Sequence, residues 1–171
     1  MLSKQELIEM HPLLRRLSGQ AVWCMFEEHG ADSEDVTAFL DLYERQKDRT
    51  LETFGLALGN AGRAEFHAML VRVGDNARPC AYCKRVHNRV LLLDNVGLPT
   101  FFPPYGLGCP AKAFLLTKGE FSALKNPVFM DTAQKPPSAL LCSDWIFTHP
   151  WRDHKGTVEF FDTEIFSNQL K

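Results

Sequence analysis

Proline divides this chain into two parts, because a proline inside a helix removes one hydrogen bond and clashes with the preceding turn. Only Pro12 lies within residues 1–75, whereas the other nine prolines lie between positions 79 and 150. The charge changes at the same place: residues 1–75 hold 8 basic and 13 acidic side chains, and residues 76–171 hold 11 and 8. The pattern predicts an α+β fold, predominantly α, with an N-terminal helical bundle followed by an irregular half with a few short β-strands.

The 171 residues are typical of one domain, here 1–171, with a subdomain seam near residues 74–79 because each half alone would have a small core. A hydrophobic content of 45% excludes a disordered chain. The formal net charge of −2 argues against a dedicated polyanion binder, so we expect no nucleic-acid ligand. The sequence does not indicate an oligomeric state.

The N-terminal segment indicates a protein without a membrane partner. Glu6, Glu9, Arg15 and Arg16 interrupt its apolar pattern, whereas a signal peptide needs an unbroken apolar core. No run approaches the ~18 apolar residues that a spanning helix needs. We therefore expect a cytoplasmic protein, in which thiols stay reduced.

Helix signals recur in the first part. Ser3 and Glu6 fit a capping box, and Pro12 suits the first turn of a second helix that Gly30 would end. The apolar residues between these two positions recur at three- and four-residue steps: Leu13, Leu14, Leu17, Ala21, Val22, Met25 and Phe26.

A third helix is predicted after Asp32 or Ser33, either of which could cap it. Its buried face would consist of Val36, Phe39, Leu40 and Tyr43. Residues 50–59 and 64–73 continue the helical pattern on either side of a glycine-containing break. Three or four such helices would pack as a small bundle.

The second part predicts shorter elements. Residues 89–93 read as a strand, residues 99–110 as a constrained loop, and residues 111–117 as a helical turn or a strand. Residues 139–148 and 157–166 are predicted to be two antiparallel strands. The aromatic residues near the C-terminus would build the core of this part or, where exposed, bind a protein partner; they are Trp145, Phe147, Trp151, Phe160, Phe161 and Phe166.

The five cysteines carry most of the functional information, since an odd number in a cytoplasmic domain argues against a disulfide framework. Cys24 lies on the apolar stripe of the second helix, and Cys142 lies in an apolar run. We interpret both as packing residues, because a free cysteine behaves as a small hydrophobic side chain.

The remaining three cysteines predict a structural metal site. Cys80 and Cys83 form a Cys-x-x-Cys pair, which places two thiolates on one tight turn, and Cys109 follows at the end of the proline-rich loop. Zinc is the metal that this donor set favours. A tetrahedral site needs a fourth ligand, for which His87 is the favoured candidate and Cys142 and His149 are the others.

The residues around these cysteines resemble the C-terminal motif of phage Mu F-type minor head (head morphogenesis) proteins. The resemblance covers about 35 residues, from Gly74 through the Cys-x-x-Cys pair and a short apolar stretch to Pro103-Pro104 and Cys109. The family histidine falls on Gly106, and the family's final Arg-Cys falls on Pro110-Ala111, so a metal site would need a replacement ligand such as His87. This resemblance implies a structural or assembly role without catalysis.

The segment from Cys80 to His87 also resembles the Cys-x-x-Cys-x-x-x-His core of alkylhydroperoxidase D-like proteins. That resemblance implies a thiol redox enzyme in which His87 helps to activate Cys80 or Cys83, since a nearby base lowers a thiol pKa. It requires a helix that continues beyond Cys83. The interpretation that we favour is non-catalytic: a zinc-binding, phage- or prophage-related protein with a structural or interaction role.

Overall fold

A computed structural model describes residues 1–59, 65–74 and 79–153. Its regular elements follow in chain order: helices α1 (Lys4–Met10), α2 (Gly19–Glu28) and α3 (Ser33–Gly59), strand β1 (Ala68–Val73), helix α4 (Ala81–Val86), strand β2 (Arg89–Leu92), helix α5 (Leu98–Phe101), strand β3 (Ala111–Leu116), helix α6 (Lys118–Ala123), strand β4 (Val128–Phe129), and two 3₁₀ helices (Asp144–Phe147 and Trp151–Asp153). The fold is mixed, with more helix than strand, as the sequence predicts.

Four strands form one sheet in the order β3-β1-β2-β4. Strand β1 pairs antiparallel with β2 and β3, with Met69 opposite both Leu91 and Leu115, whereas β4 runs parallel to β2. Every residue of β1 except Arg72 is buried. Strand β1 is therefore a buried inner strand, whereas β4 forms an exposed edge of the sheet.

The 27-residue helix α3, about 40 Å long, connects two hydrophobic cores. Its N-terminal half packs against α2 and the 3₁₀ helices, where Phe26, Phe39 and Trp151 are buried. Its C-terminal half packs Leu51 and Phe54 against α1, the sheet and the proline-rich loop. The N-terminal helical bundle that the sequence predicts is not confirmed. Helix α3 packs against α1 and α2, but it also buries apolar side chains against the second part of the chain.

The ends of the first two helices show which local sequence signals predict a helix boundary. The capping box of Ser3 and Glu6 is confirmed, and Gly30 has a positive φ of 70° directly after α2. The second helix is shorter than predicted: it begins at Gly19, capped by Ser18, because Leu13, Leu14 and Leu17 lie in a preceding turn. These leucines are buried, so the apolar residues of this turn recur at helical spacing although the turn is not part of a helix.

Two further predictions of secondary structure are wrong. Residues 68–73 form strand β1 rather than part of a helix, because a strand buried on both faces lacks the alternation that would reveal it. Residues 139–148 contain a 3₁₀ helix and one isolated bridge rather than a strand. The strand predicted for residues 157–166 lies outside the described residues.

Two strands predicted from short apolar runs agree with the structure. Residues 89–93 contain β2, and residues 111–117 contain β3, which resolves the alternative of helical turn or strand.

The seam predicted near residues 74–79 stays a prediction, since residues 75–78 are not described. Among the described residues, no helix is long and apolar enough to cross a membrane.

An ion-pair network joins the last described segment to the start of α3. The guanidinium of Arg152 lies 2.7 Å from Asp32, 3.0 Å from Glu34 and 3.1 Å from Asp35, and the Arg152 backbone N–H also donates to Asp35. These hydrogen bonds lower the pKa of Asp35. The network connects the second 3₁₀ helix to the start of α3.

Replacing Arg152 by Gln tests this network. A lowered pKa in the folded state stabilises the protein above the pKa of the unfolded chain, and this contribution disappears as pH falls through the folded pKa. We expect R152Q to lower Tm by about 2 °C near neutral pH in dilute salt. The difference should shrink progressively as pH falls below about 4, the ordinary pKa of an Asp carboxyl, because the pKa of Asp35 is lowered from it, and should also shrink in about 1 M salt.

The matched control is Arg45→Gln, which removes an exposed arginine on α3 that has no ion pair among the described residues. Equal Tm losses in R45Q and R152Q, or a loss in R152Q that persists at acid pH, would contradict the network.

Candidate metal centre

Cys80 and Cys83 lie at the start of helix α4. Cys80 is the N-cap residue, and its sulfur accepts a hydrogen bond from the Cys83 backbone N–H at 3.4 Å. This geometry directs both thiols to the same side of the helix, with their Sγ atoms 3.4 Å apart. Cys83 is fully buried in the hydrophobic core that contains Leu51 and Phe54, which we call the main core, whereas Cys80 is half-buried.

The proline-rich loop delivers Cys109 to the same place. Gly108 has a φ of 76°, in the left-handed region that favours glycine, and its neighbour Cys109 is fully buried just before β3. The Sγ atoms of Cys109 and Cys83 lie 3.4 Å apart. Backbone hydrogen bonds from Tyr105 and Ala111 also reach Cys109.

Cys142 completes the cluster through backbone pairing with the same loop. Leu107 donates to the carbonyl of Leu140 at 2.6 Å, and its own carbonyl accepts from Cys142 at 2.8 Å. Leu107 and Leu141 form a parallel bridge. The close approach requires Gly106, because a Cβ there would lie 2.8 Å from the Cys142 backbone nitrogen.

Cys80, Cys83 and Cys142 form one compact group of thiols, which Cys109 joins through its 3.4 Å contact with Cys83. The Sγ atoms of Cys83 and Cys142 are 3.6 Å apart, and those of Cys80, Cys83 and Cys142 all lie within 4.8 Å of one another. All four cysteines are free thiols. Sulfur atoms bound to one tetrahedral zinc ion at ~2.3 Å stand about 3.8 Å apart, so the spacing and donor chemistry fit a zinc-type ion.

The charges that these thiols can carry are strongly coupled. Burial opposes ionisation of Cys109, but hydrogen bonds from Cys142 and Cys83 outweigh it and lower the pKa of Cys109. Hydrogen bonds to Cys109 raise the pKa of Cys83 and raise that of Cys142 to about 11. A bound cation would favour the ionised form of these thiols, because it offsets the repulsion between neighbouring thiolates.

Of the ligands predicted from the sequence, Cys80 and Cys109 each have their Sγ atom 3.4 Å from that of Cys83. His87, the favoured fourth ligand, follows α4, and its Nδ1 accepts a hydrogen bond from the Val73 backbone N–H at 3.0 Å. The ring of His149 packs against Trp145 and Trp151, 5.5 and 4.3 Å between centroids.

The structure differs from the expectation that Cys24 and Cys142 are packing residues. Cys24 is exposed on α2 rather than buried. Cys142 contacts the other thiols instead of serving only as an apolar side chain. The pairing of residues 140–142 with Leu107 has no local sequence signal, and Gly106 is the one position whose lack of a side chain hints at a close backbone approach.

Comparisons with protein-family models, with curated proteins and with solved structures find no match to this chain. Among the described residues, a cluster of cysteines could hold a metal ion.

Gly106→Ala tests the backbone approach that carries Cys142. The new methyl group would overlap the Cys142 backbone, and we expect a loss of about 1–3 kcal/mol in the free energy of unfolding together with weaker metal binding. Denaturant melts and metal titration measure both effects.

Gly19→Ala is the matched control, because no atom lies within 4 Å of a Cβ added at this first residue of α2. It should leave metal binding unchanged and stability unchanged or slightly raised. A G106A protein that equals G19A in both measurements would contradict the close approach.

Proposed function

We propose that Cys80, Cys83, Cys109 and Cys142 hold one structural zinc ion, and that the protein has a structural or interaction role. The observation that carries the proposal is the convergence of four thiols from three separate chain segments. Zinc prefers four thiolate or imidazole ligands in tetrahedral geometry. A site with four protein ligands leaves no position for a substrate, so its chemistry is structural rather than catalytic.

The metal would act as a cross-link in a part of the chain that has little regular structure. Helix α4, the loop before β3 and the segment before the first 3₁₀ helix contribute ligands, and no single element spans all three. Ligation fixes their relative positions at the boundary of the main core. Binding free energy then contributes directly to folding.

Cys142 is the fourth ligand in this proposal, in place of His87. The Cys142 thiol lies 3.6 Å from that of Cys83, whereas Nδ1 of His87 is already hydrogen-bonded to Val73. Cys142 also lies against Gly106, the position at which the phage Mu F-type motif has its histidine. A ligand from a distant segment would thus replace the one that the local motif lacks.

The resemblance to phage Mu F-type minor head proteins supports an assembly role for this zinc-ordered domain. A zinc cross-link suits such a role, because it makes an irregular surface rigid without adding catalytic groups. In this proposal the chain is phage- or prophage-derived, and protein partners are its ligands.

The thiol redox function implied by the alkylhydroperoxidase D-like resemblance is less well supported. It needs a helix that continues past Cys83, but α4 ends at Val86 and β2 begins three residues later. It also needs the ring of His87 beside a thiol. Metal content separates these hypotheses, because zinc ligation by both Cys80 and Cys83 removes their nucleophilic character.

Metal analysis of protein purified without added zinc is the first test. We expect about one zinc ion per chain. Cys109→Ser and Cys142→Ser should each lower the content several-fold, whereas Cys24→Ser, at an exposed thiol outside the cluster, should not. His87→Ala should also retain the ion.

Cobalt substitution keeps the test informative if a serine variant fails to fold. The visible spectrum of cobalt depends on its geometry and donors, and four thiolates differ from three thiolates with one imidazole. Metal-free wild type with an intact fold overturns the proposal. Loss of metal in H87A but not in C142S would make His87 the fourth ligand.

Chelation gives a second prediction. Removing zinc should lower Tm markedly, because three segments lose their cross-link, and should expose Cys80 and Cys142 to alkylating reagents. Mass spectrometry before and after chelation measures this change. Peroxide turnover by protein that is purified without metal would instead favour the redox function.

A further inference from the structure

A cavity of about 160 Å³ opens between three segments of the chain, none of which belongs to helix α4. Its walls come from the turn after α1, from the segment around α5 and the proline pair, and from the segment that precedes Cys142. The side chains that line it include His11, Arg16, Phe102, Pro104, Tyr105 and Lys135. Nothing in the proposed metal centre uses this space.

The interior of the cavity offers apolar surface, because its buried polar side chains already have partners. His11 accepts hydrogen bonds on Nδ1 from Leu13 and Leu14, and its other ring nitrogen lies 3.3 Å from the Pro103 carbonyl. Burial lowers the pKa of His11 to about 4, so the ring is neutral. The hydroxyl of Tyr105 donates to Phe101 at 2.8 Å.

The rim of the cavity is cationic. Arg16 and Lys135 are both exposed, and no acidic side chain of the described residues lines the cavity. Arg16 uses one N–H group to reach the Ser138 carbonyl across the mouth, at 3.0 Å. Among the described residues, Lys135 has neither a hydrogen bond nor an ion pair, so its charge is available to a ligand.

We propose that this cavity binds a small organic anion with a compact apolar body. The body would lie against Phe102 and the neighbouring prolines, and the anionic group would lie between Arg16 and Lys135 at the rim. The size agrees with this assignment, because an apolar cavity of ~150 Å³ accommodates benzene and a single water molecule occupies only ~30 Å³. An apolar interior with a few polar groups at its edge is typical of ligand sites.

The orientation of the ligand follows from the interior of the cavity, where the buried polar side chains already have hydrogen-bond partners. A polar group placed deep in the cavity would find His11 and Tyr105 already bonded and would lose its hydration without compensation. An anion at the rim keeps part of its hydration and gains two cations. Selectivity for a charged over a neutral head group is therefore the main expectation.

Phenylacetate is the probe that tests the proposal, with phenylacetamide as its neutral counterpart and phenyl phosphate as a second anion. We expect phenylacetate to bind with a Kd of about 0.1–1 mM, as measured by calorimetry or ligand-observed NMR on the full chain. Phenylacetamide should bind at least about tenfold more weakly. The tighter of the two anions indicates whether a carboxylate or a phosphate monoester is the preferred head group.

Charge removal at the rim gives the decisive comparison. Lys135→Gln should weaken phenylacetate binding about fivefold, and Arg16→Gln by about as much or more. Their matched controls are Lys125→Gln and Arg15→Gln, which remove exposed charges that do not line the cavity. Ala139→Trp should abolish binding by filling the mouth.

Equal affinities for phenylacetate and phenylacetamide would overturn the proposal, as would a K135Q protein that binds like K125Q, or the absence of binding at millimolar probe. Zinc content is measured in every variant. Since Arg16 and Lys135 do not contact the thiols, failure of this proposal leaves the metal content unchanged, whereas failure of the zinc proposal shows as absent metal with intact ligand binding.

Discussion

The contact on which the second part of this protein depends is the pairing of Leu107 with residues 140–142. Two backbone hydrogen bonds and one bridge bring together chain segments that are more than thirty residues apart. The pairing places Cys142 beside Cys109 and forms part of the boundary of the main core. Without it, Cys80, Cys83 and Cys109 would form an incomplete set of thiols.

This pairing also explains why glycines occur inside an otherwise proline-rich loop. Gly106 makes room for the Cys142 backbone, and Gly108 adopts a positive φ in front of Cys109. The prolines limit the conformations of the unfolded loop, while the glycines allow the one close approach that the folded state needs. The loop can therefore present a buried thiol and, on its other side, the wall of the cavity.

A bound metal and the hydrophobic core would stabilise the same region in complementary ways. Cys83 and Cys109 are fully buried among apolar side chains, whereas Cys80 and Cys142 lie at the edge. Repulsion among buried thiolates disfavours a second ionisation in the protein alone, so a cation is needed for the set to be fully charged. Cys83 and Cys109 would thus serve both as ligands and as apolar members of the core.

Local sequence signals determined the cap at Ser3, the end of α2 near Gly30, strand β2 and the closeness of Cys80 and Cys83, because each depends on neighbouring residues or on a short motif. Only the tertiary structure decided that residues 68–73 form the central strand and that Cys142 joins the cluster. A strand buried on both faces has no periodicity to read, and a thiol delivered by a distant backbone pairing has no local spacing. Both depend on contacts between segments that are remote in the chain, where solvent exclusion and hydrogen-bond satisfaction outweigh local preference.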